Sequence, residues 1–371
     1  MRALLAVILI VSSLSATCRG QVTWSGQAAV QMFRSAPTTS PRVLNGGRPS
    51  FGWQSVLFLD GVISDNVAVL SDVSVTDQEQ LSFDYLAIRF IDLTPLHLNI
   101  QAGKFDMPFG NLAERRFPRN NPLYSRPLLY EFSTSLPNRL TTDTAILRSR
   151  GQGTGMRLLD GGIYDIGAMI YGAAGIFTYA LALSNGTVST AAYGNENTND
   201  NFGTILRIAM TPVTGMTVGA AYSWGDYLYD QGQSSPRYEG PSGYLQRDGE
   251  VDLAFSRGHF VFYGEGVRGL WRVPLSAGDE TLGAYGYYLE GKYTFVPRFY
   301  GAVRVSGLSF DDVQLAGLQQ RWDFNVTEWE GGVGYFIERN VVGKVVRRET
   351  RISGGSRPKD NLTALQLAVQ F

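Results

Sequence analysis

The sequence is poor in the residue types that most enzyme and metal sites require. Its 371 residues include one cysteine, Cys18, and two histidines, His97 and His259. One cysteine excludes a disulfide scaffold and a cysteine-based zinc site. Two histidines leave little for metal binding or acid–base catalysis. We therefore expect no enzyme activity, no metal and no cofactor.

The sequence also lacks an excess of either charge and any long apolar run. It has 32 lysines and arginines against 33 acidic residues, a net charge of −1, and only 18% charged residues. This balance excludes a protein that binds nucleic acid through bulk positive charge. The hydrophobic share of 44% excludes a disordered chain. No stretch after the N-terminus approaches the ~18 consecutive apolar residues of a transmembrane helix.

The N-terminus has the pattern of a secretory signal peptide. Arg2 gives a positive start, residues 3–11 are apolar, and small residues follow. This apolar run is too short to span a bilayer and is typical of a cleaved signal. We predict a signal peptide over residues 1–20 and one membrane domain over residues 21–371. Cys18 is either lost with the signal or, as a less favoured alternative, the site of lipid attachment.

The remainder of the chain alternates apolar and polar residues with a period of two. In residues 284–295, Glu290, Lys292 and Thr294 fall on one face of a strand, opposite a face of large apolar residues. The apolar face comprises Tyr285, Tyr287, Leu289, Tyr293 and Phe295. A helix would distribute these side chains around its circumference, so the pattern predicts β-strands. Strands that are apolar outside and polar inside are typical of a membrane barrel.

Counting such segments predicts sixteen strands. They begin near Val22, Phe51, Val67, Ser82, Leu96, Ile163, Phe177, Gly203, Met216, Gly249, His259, Gly283, Arg298, Asp323, Val341 and Leu362. Short turns alternate with long connections, as expected for a barrel with a short-turn end and a long-loop end. We predict an all-β fold, a transmembrane antiparallel barrel of about 16 strands. The count becomes 18 if residues 154–159 form a hairpin of their own.

The C-terminus carries a separate signal. Residues 365–371 alternate and end on the aromatic Phe371. This ending resembles the C-terminal assembly signal of bacterial outer-membrane barrels. We therefore predict that Phe371 is read by the outer-membrane assembly machinery.

Two stretches resemble a known family. Residues 101–110, QAGKFDMPFG, are similar to the GKF–PFG stretch of Gram-negative outer-membrane porins, particularly the phosphate-selective porin O/P-like group. Residues 179–186, YALALSNG, are similar to a strand end of the same group, and an Asn-rich segment and residues 206–212 follow in matching order. The resemblance implies a sixteen-strand barrel, a homotrimer, and a long third loop folded into the lumen.

The third long loop has an excess of basic residues. Between positions 103 and 150 there are eight basic and four acidic residues. The predicted anion-facing constriction comprises Lys104, Arg115, Arg116, Arg119, Arg126 and Arg139. Guanidinium groups bind oxyanions in two-point geometry, which favours an anion preference. Alternatively, these arginines pair with the barrel wall or lipid headgroups and set no selectivity. The predicted lumen wall has mixed charge: Arg207, Glu290, Lys292 and Arg304.

Together these patterns predict a passive diffusion channel of the bacterial outer membrane for small hydrophilic solutes. Its partners would be outer-membrane lipid and lipopolysaccharide, the assembly machinery and the solutes. Two alternatives stay open. One is a secreted soluble β-protein, a sandwich or propeller that acts as a binding module. The other is a plugged outer-membrane barrel with a structural or adhesive role.

Overall fold

The computed structural model describes residues 21–35, 47–76, 81–94, 97–160, 164–190, 201–229, 240, 242–275, 278–354 and 360–371. The predicted signal peptide, Cys18 and the Asn-rich segment 195–200 lie outside these residues. The strands are β1 (Gln21–Ser35), β2 (Ser50–Ser64), β3 (Val67–Thr76), β4 (Leu81–Phe90), β5 (Asn99–Asp106), β6 (Tyr164–Ala174), β7 (Phe177–Ser184), β8 (Gly203–Val213), β9 (Met216–Asp226), β10 (Leu245–Arg257), β11 (Phe260–Pro274), β12 (Asp279–Val296), β13 (Phe299–Phe310), β14 (Asp312–Leu315), β15 (Leu318–Arg321), β16 (Val326–Glu338), β17 (Val341–Ile352) and β18 (Leu362–Gln370).

Sixteen of these strands form one closed antiparallel barrel, which confirms the predicted count. Each strand pairs with its neighbour along the chain, except that β13 pairs with β16 across the separate hairpin β14–β15. β1 pairs with β18 and closes the ring. The alternative of 18 barrel strands is wrong. Residues 154–159 stay within the third loop, where Arg157 forms an isolated bridge with Ser133 rather than a hairpin.

The two faces of the strands follow the predicted alternation. On β12, Leu289 is 52% exposed on the outside, whereas Glu290 is 1% exposed on the inside. Tyr285, Tyr293 and Phe295 also lie on the exposed face. An outward apolar belt around a polar interior is the arrangement that a barrel presents to lipid, so this is a transmembrane barrel. A soluble sandwich or propeller is therefore excluded.

The connections at one end of the barrel are short turns. Gly175, Gly215 and Gly258 take positive φ angles of 61°, 87° and 59° in three of them. Glycine adopts this left-handed region without a steric penalty, which allows adjacent strands to join in two residues. The longer connections lie at the other end, the long-loop end.

The connection between β5 and β6 is the third loop, described over residues 107–160. It contains a 3-10 helix (Ala113–Arg116) and two short helices, α1 (Leu128–Glu131) and α2 (Asp143–Ser149). Thr142 caps α2, because its hydroxyl accepts a hydrogen bond of 3.2 Å from the backbone N–H of Ala145. No helix within the described ranges is long and apolar enough to cross a membrane.

Candidate functional site

The third loop folds into the barrel and packs against one side of the wall. Its apolar side chains at Leu128, Leu129 and Phe132 are completely buried. They join one core with the inward residues Val267 of β11 and Tyr288 of β12. Because apolar side chains of the loop meet apolar side chains of the wall, this half of the lumen is filled with protein.

A chain of alternating charges lies between the loop and this side of the wall. Arg115 of the loop lies 2.8 Å from Glu290 on β12, and Glu290 lies 2.9 Å from Arg304 on β13. Arg304 also pairs with Glu330 on β16. Glu330 accepts hydrogen bonds of 3.1 and 2.9 Å from the loop's backbone N–H groups at positions 124 and 125. Each buried charge therefore has an opposite partner, and the chain fastens the loop to the wall.

Two further cations on β17 hold the loop. Lys344 Nζ donates to the carbonyl oxygens of Pro118, Asn121 and Leu123, at 2.7, 3.0 and 3.0 Å. Arg348 donates to Ser125 Oγ at 2.7 Å. A lone lysine in the apolar run 341–346 was the signal for this anchor in the sequence, but its role emerges only from the contacts.

On the opposite side of the lumen, a cavity of about 240 Å³ lies between the loop and strands β1 to β4. The loop also touches this wall: the Phe117 ring lies 5.1 Å from that of Phe58 on β2, and the backbone N–H of Arg119 donates to Gln27 Oε1 at 3.1 Å. The wall side chains of the cavity comprise the polar Gln27, Gln54, Ser74, Thr76 and Asp84 and the apolar Ala29 and Val56. The loop side comprises Arg116, Phe117, Pro118 and Arg126, with Tyr164 at the start of β6. This wall was not among the predicted lumen residues, although the alternation of Asp72, Ser74 and Thr76 with valines marks it as inward.

Arg116 lies on the loop side of this cavity between acids and aromatic rings. Its Nη1 is 2.6 Å from Asp106 Oδ2, and its Nη2 is 4.0 Å from Asp72 Oδ2. The guanidinium carbon lies 4.6 and 4.4 Å from the ring centroids of Phe117 and Tyr164, which is a cation–π geometry. Burial lowers the pKa of Arg116, but the nearby Asp106, Tyr164 and Asp72 outweigh it and the pKa is raised. The group therefore stays charged.

The other predicted constriction residues are not gathered at one place. Arg126 lines the cavity beside Arg116. The guanidinium of Arg119 donates to the carbonyl of Arg339 at 3.0 Å, in the turn between β16 and β17. Arg139 is exposed on the loop, and Arg115 is buried in the charge chain. An anion-facing role for these residues stays a prediction.

The placement of Lys104 in the constriction is wrong. Lys104 pairs in register with Leu86 of β4 and Ile166 of β6, and Leu86 is exposed on the outer face. Its Nζ donates to the carbonyl of Phe83 at 2.9 Å. The reason is the strand alternation itself, which puts Lys104 on the same face as Ile100 and Ala102.

The predicted lumen-wall residues all face inward, but in three different settings. Glu290 and Arg304 lie behind the loop and are covered by it. Arg207 on β8 pairs with Glu250 and Asp252 on β10, at 3.1 and 2.5 Å. Lys292 lies 4.5 Å from the ring centroid of Tyr300. Their contribution to passage stays a prediction.

Phe371 completes the seam between the last strand and the first. Its backbone N–H and C=O exchange two hydrogen bonds of 2.9 Å with Gly26 of β1, and its ring lies 6.3 Å from that of Trp24. The residue is thus an outward aromatic at the end of the closing strand. Its role as an assembly signal stays a prediction.

No family model matches the chain, and no curated protein matches it. Solved structures do. The outer membrane channel DcaP of Acinetobacter baumannii is similar with a TM-score of 0.62 and 11% identity, over 95% of this chain and 97% of that one. OmpF of Salmonella typhi is similar with a TM-score of 0.61 and 11% identity, over 94% of this chain and 97% of that one. The anion-selective porin of Comamonas acidovorans is similar with a TM-score of 0.60 and 8% identity, over 95% of this chain and 99% of that one.

At these identities the likeness concerns the fold. The finer resemblance to the phosphate-selective group stays a prediction. An even-numbered, closed antiparallel barrel with an outward apolar belt is the outer-membrane type of membrane protein. The chain therefore has the fold of the outer-membrane porins and belongs in a bacterial outer membrane.

Proposed function

We propose that this protein is a passive diffusion channel for small hydrophilic solutes, and that the pore runs between the third loop and strands β1 to β4. One observation carries the proposal: the charge chain fastens the loop to strands β12, β13 and β16, whereas a cavity remains between the loop and strands β1 to β4. Amides, hydroxyls and a carboxylate line this cavity, beside Ala29, Val56 and the arginines of the loop. Such groups replace the water around a polar solute without holding it tightly, as passage requires. No catalytic step forms part of this function.

The channel prefers anions in this proposal, and Arg116 and Arg126 are the residues that set the preference. Both lie on the loop side of the cavity. A cation in a narrow, water-poor passage raises the local concentration of anions. Asp84 lines the same cavity, and Asp72 and Asp106 flank Arg116, so these carboxylates oppose the field and the preference is weak rather than strict. One similar structure is described as an anion-selective porin, which agrees with the proposed preference for anions.

The functional unit in this proposal is a homotrimer. The barrel shares its fold with the outer membrane protein OmpT of Vibrio cholerae, one structure of which is described as a trimer form. Three independent pores would then appear as conductance steps in multiples of three. Chemical crosslinking in detergent gives an independent count of the subunits.

Planar-bilayer recording tests the channel. The purified wild type should insert with discrete conductance steps, and in a gradient of dilute potassium chloride its reversal potential should have the sign of anion preference. The double variant R116A/R126A should shift the reversal potential towards cations. R139A is the matched control, because Arg139 is also an arginine of the third loop but does not line the cavity. A folded barrel with ordinary conductance and no shift would contradict the assigned residues.

A plugged barrel is the second candidate, and one contact favours it. The hairpin β14–β15 lies over α2 of the third loop, where the backbone N–H of Ala316 donates to Asp143 Oδ2 at 2.9 Å. Arg150 donates to the carbonyl of Arg321 at 3.1 Å on the same hairpin. The loop and the hairpin together cover part of the lumen. A heat-modifiable, correctly folded protein that never conducts would favour this candidate over the channel.

A further inference from the structure

The cavity beside the third loop has two chemically different sides. On the loop side, the Arg116 guanidinium lies between the rings of Phe117 and Tyr164. On the barrel side, Gln54 of β2 lies in register with Thr76 of β3, and both residues line the cavity. A solute between the loop and the barrel therefore meets a cation with aromatic surfaces on one side and a neutral polar row on the other.

Arg116 keeps one accessible hydrogen-bond donor. Its Nη1 donates to Asp106 Oδ2 at 2.6 Å, whereas its Nη2 lies 4.0 Å from Asp72 Oδ2, which is beyond a hydrogen bond. Across the described part of the chain, Nη2 and Nε have no hydrogen-bond acceptor, and of these two nitrogens only Nε is buried. Because Arg116 lines the cavity, Nη2 can donate to an anionic oxygen there, in a charge-assisted bond about twice as strong as a neutral one.

Gln54 and Thr76 also have unused hydrogen-bonding groups. Both side chains are partly exposed, and within the described ranges neither one has a hydrogen-bond partner. An amide supplies two N–H donors and an acceptor, and a hydroxyl supplies one donor and an acceptor. The two residues lie on neighbouring strands, about 5 Å apart. A single small solute with several hydroxyls can therefore bond to both.

Asp84 distinguishes between kinds of anion. It lines the same cavity, and its carboxylate accepts hydrogen bonds from the hydroxyls of Ser74, at 2.5 Å, and Ser82. An anion without donors that binds Arg116 meets this carboxylate across the cavity and is repelled. A carboxylate accepts about four hydrogen bonds, so Asp84 can still accept from a hydroxyl of a solute. The cavity therefore favours a solute that is anionic at one end and hydroxylated along the rest.

We propose that this cavity recognises small polyhydroxylated carboxylates, the chemical class of the sugar acids. The inference rests on the proposed channel, of which the cavity is the passage. The carboxylate accepts from Arg116 Nη2, hydroxyls bond to Gln54 and Thr76, and the carbon chain lies against Phe117 and Pro118. The volume of about 240 Å³ is below the ~300–1,000 Å³ typical of sites for drug-sized ligands, which fits a solute of monosaccharide size. An inorganic anion engages Arg116 alone, and a neutral polyol engages the wall alone, so both bind more weakly.

Four six-carbon solutes test the proposal in planar bilayers. Gluconate has a carboxylate and hydroxyls, hexanoate lacks the hydroxyls, sorbitol lacks the carboxylate, and ω-aminohexanoate has an ammonium in place of the hydroxyls. Each solute is titrated against the single-channel potassium chloride current, and the concentration dependence of the block gives its dissociation constant. The wild type should bind gluconate about tenfold more tightly than hexanoate, since two neutral hydrogen bonds together contribute about that factor. Sorbitol and ω-aminohexanoate should also bind more weakly than gluconate.

Two variants separate the two sides of the cavity. Q54L/T76V keeps the shape of the wall but removes its hydrogen-bonding groups, so it should bind gluconate about tenfold more weakly and no longer distinguish it from hexanoate. R116A should bind both gluconate and hexanoate more weakly. The matched control is S71A, because Ser71 is a hydroxyl residue of the same strand as Thr76 but lies in register with the outward Leu86. This control should bind all four solutes as the wild type does.

The comparison of solutes in the wild type decides the proposal even if a variant fails to fold. Equal affinity for gluconate and hexanoate would show that the wall does not bind hydroxyls and would overturn it. Sorbitol bound as tightly as gluconate, or ω-aminohexanoate bound more tightly, would overturn it as well. In each of these cases the potassium chloride current itself is present, so the channel stands. A folded protein without any conductance would refute the channel and the recognition site together.

Discussion

The two sides of the lumen use the same strand pattern for different purposes. Behind the third loop, the inward residues are charged, paired and buried, as with Glu290 and Arg304. Facing the loop across the cavity, Gln54, Ser74 and Thr76 are neutral and partly exposed. An inward polar residue can therefore either fasten the loop or line the cavity. What decides between the two is whether an opposite charge on the loop or wall covers it.

The largest expected effect comes from removing Arg304, the central cation of the charge chain that holds the third loop to the wall. In R304A, Glu290 and Glu330 lose their common partner and remain buried, which costs about 3–5 kcal/mol. We expect the free energy of unfolding, measured by denaturant titration in detergent, to fall by that amount. R268A is the control, because its partly exposed pair with Asp311 contributes about 1 kcal/mol or less. Equal losses in both variants would contradict the distinction between a buried chain and a surface pair.

The contrast between lipid and lumen faces is tested by placing arginine on each. Leu289 lies outward between the aromatic pairs Tyr285–Tyr287 and Tyr293–Phe295, so L289R should lower stability by roughly 2–4 kcal/mol. Q54R, on the open inward side, should fold normally and shift the reversal potential towards anions. Heat modifiability on gels and bilayer recording measure the two outcomes.

E290R is not a suitable inward control for L289R, although the strand alternation places Glu290 on the inward face next to Leu289. Its carboxylate lies between Arg115 and Arg304, so E290R would bring three cations together in a buried site. We expect this variant to fold poorly as well. Normal folding of E290R would show that the charge chain is dispensable.

Removing the Lys344 ammonium, which holds the loop through three carbonyl oxygens, should have a smaller effect on stability. K344M keeps the length of the side chain but removes the donor shared by three buried carbonyls, which costs about 1–3 kcal/mol. Segment 118–123, next to the cavity, should then move more. Faster amide hydrogen exchange in that segment and greater current noise would follow. Unchanged exchange would mean that Arg348 and the apolar core hold the loop unaided.

The smallest expected effect separates two neighbouring arginines. R115A should lower stability yet leave the reversal potential almost unchanged, because Arg115 is buried beside Glu290 behind the loop and does not line the cavity. R116A should shift the reversal potential by a modest amount towards cations. That shift should shrink in ~1 M salt, where the screening length falls to ~3 Å. A shift in R115A as large as that in R116A would place both residues on the pore.

The strand alternation carried most of the fold and some of the site. It assigned Leu289 and Glu290 to opposite faces, and it contained the information that Lys104 faces outward. The count of sixteen barrel strands also followed from it. The hairpin β14–β15 was not predicted, because its two strands of four residues lie in a segment that pattern alone assigns to a long connection.

By itself, the sequence determined that the chain is a transmembrane barrel, because a period of two fixes the face of every strand residue locally. It could not determine which cations of the third loop line the cavity. Arg115 and Arg116 are adjacent and chemically identical, yet Arg115 pairs with Glu290, 175 positions away, and Arg116 with Asp106, ten positions away. Those pairings form when the loop packs inside the closed barrel. The tertiary structure alone decided that Arg115 is buried against the wall and that Arg116 lines the cavity, because electrostatic partners are set by distance in space rather than by neighbourhood in the chain.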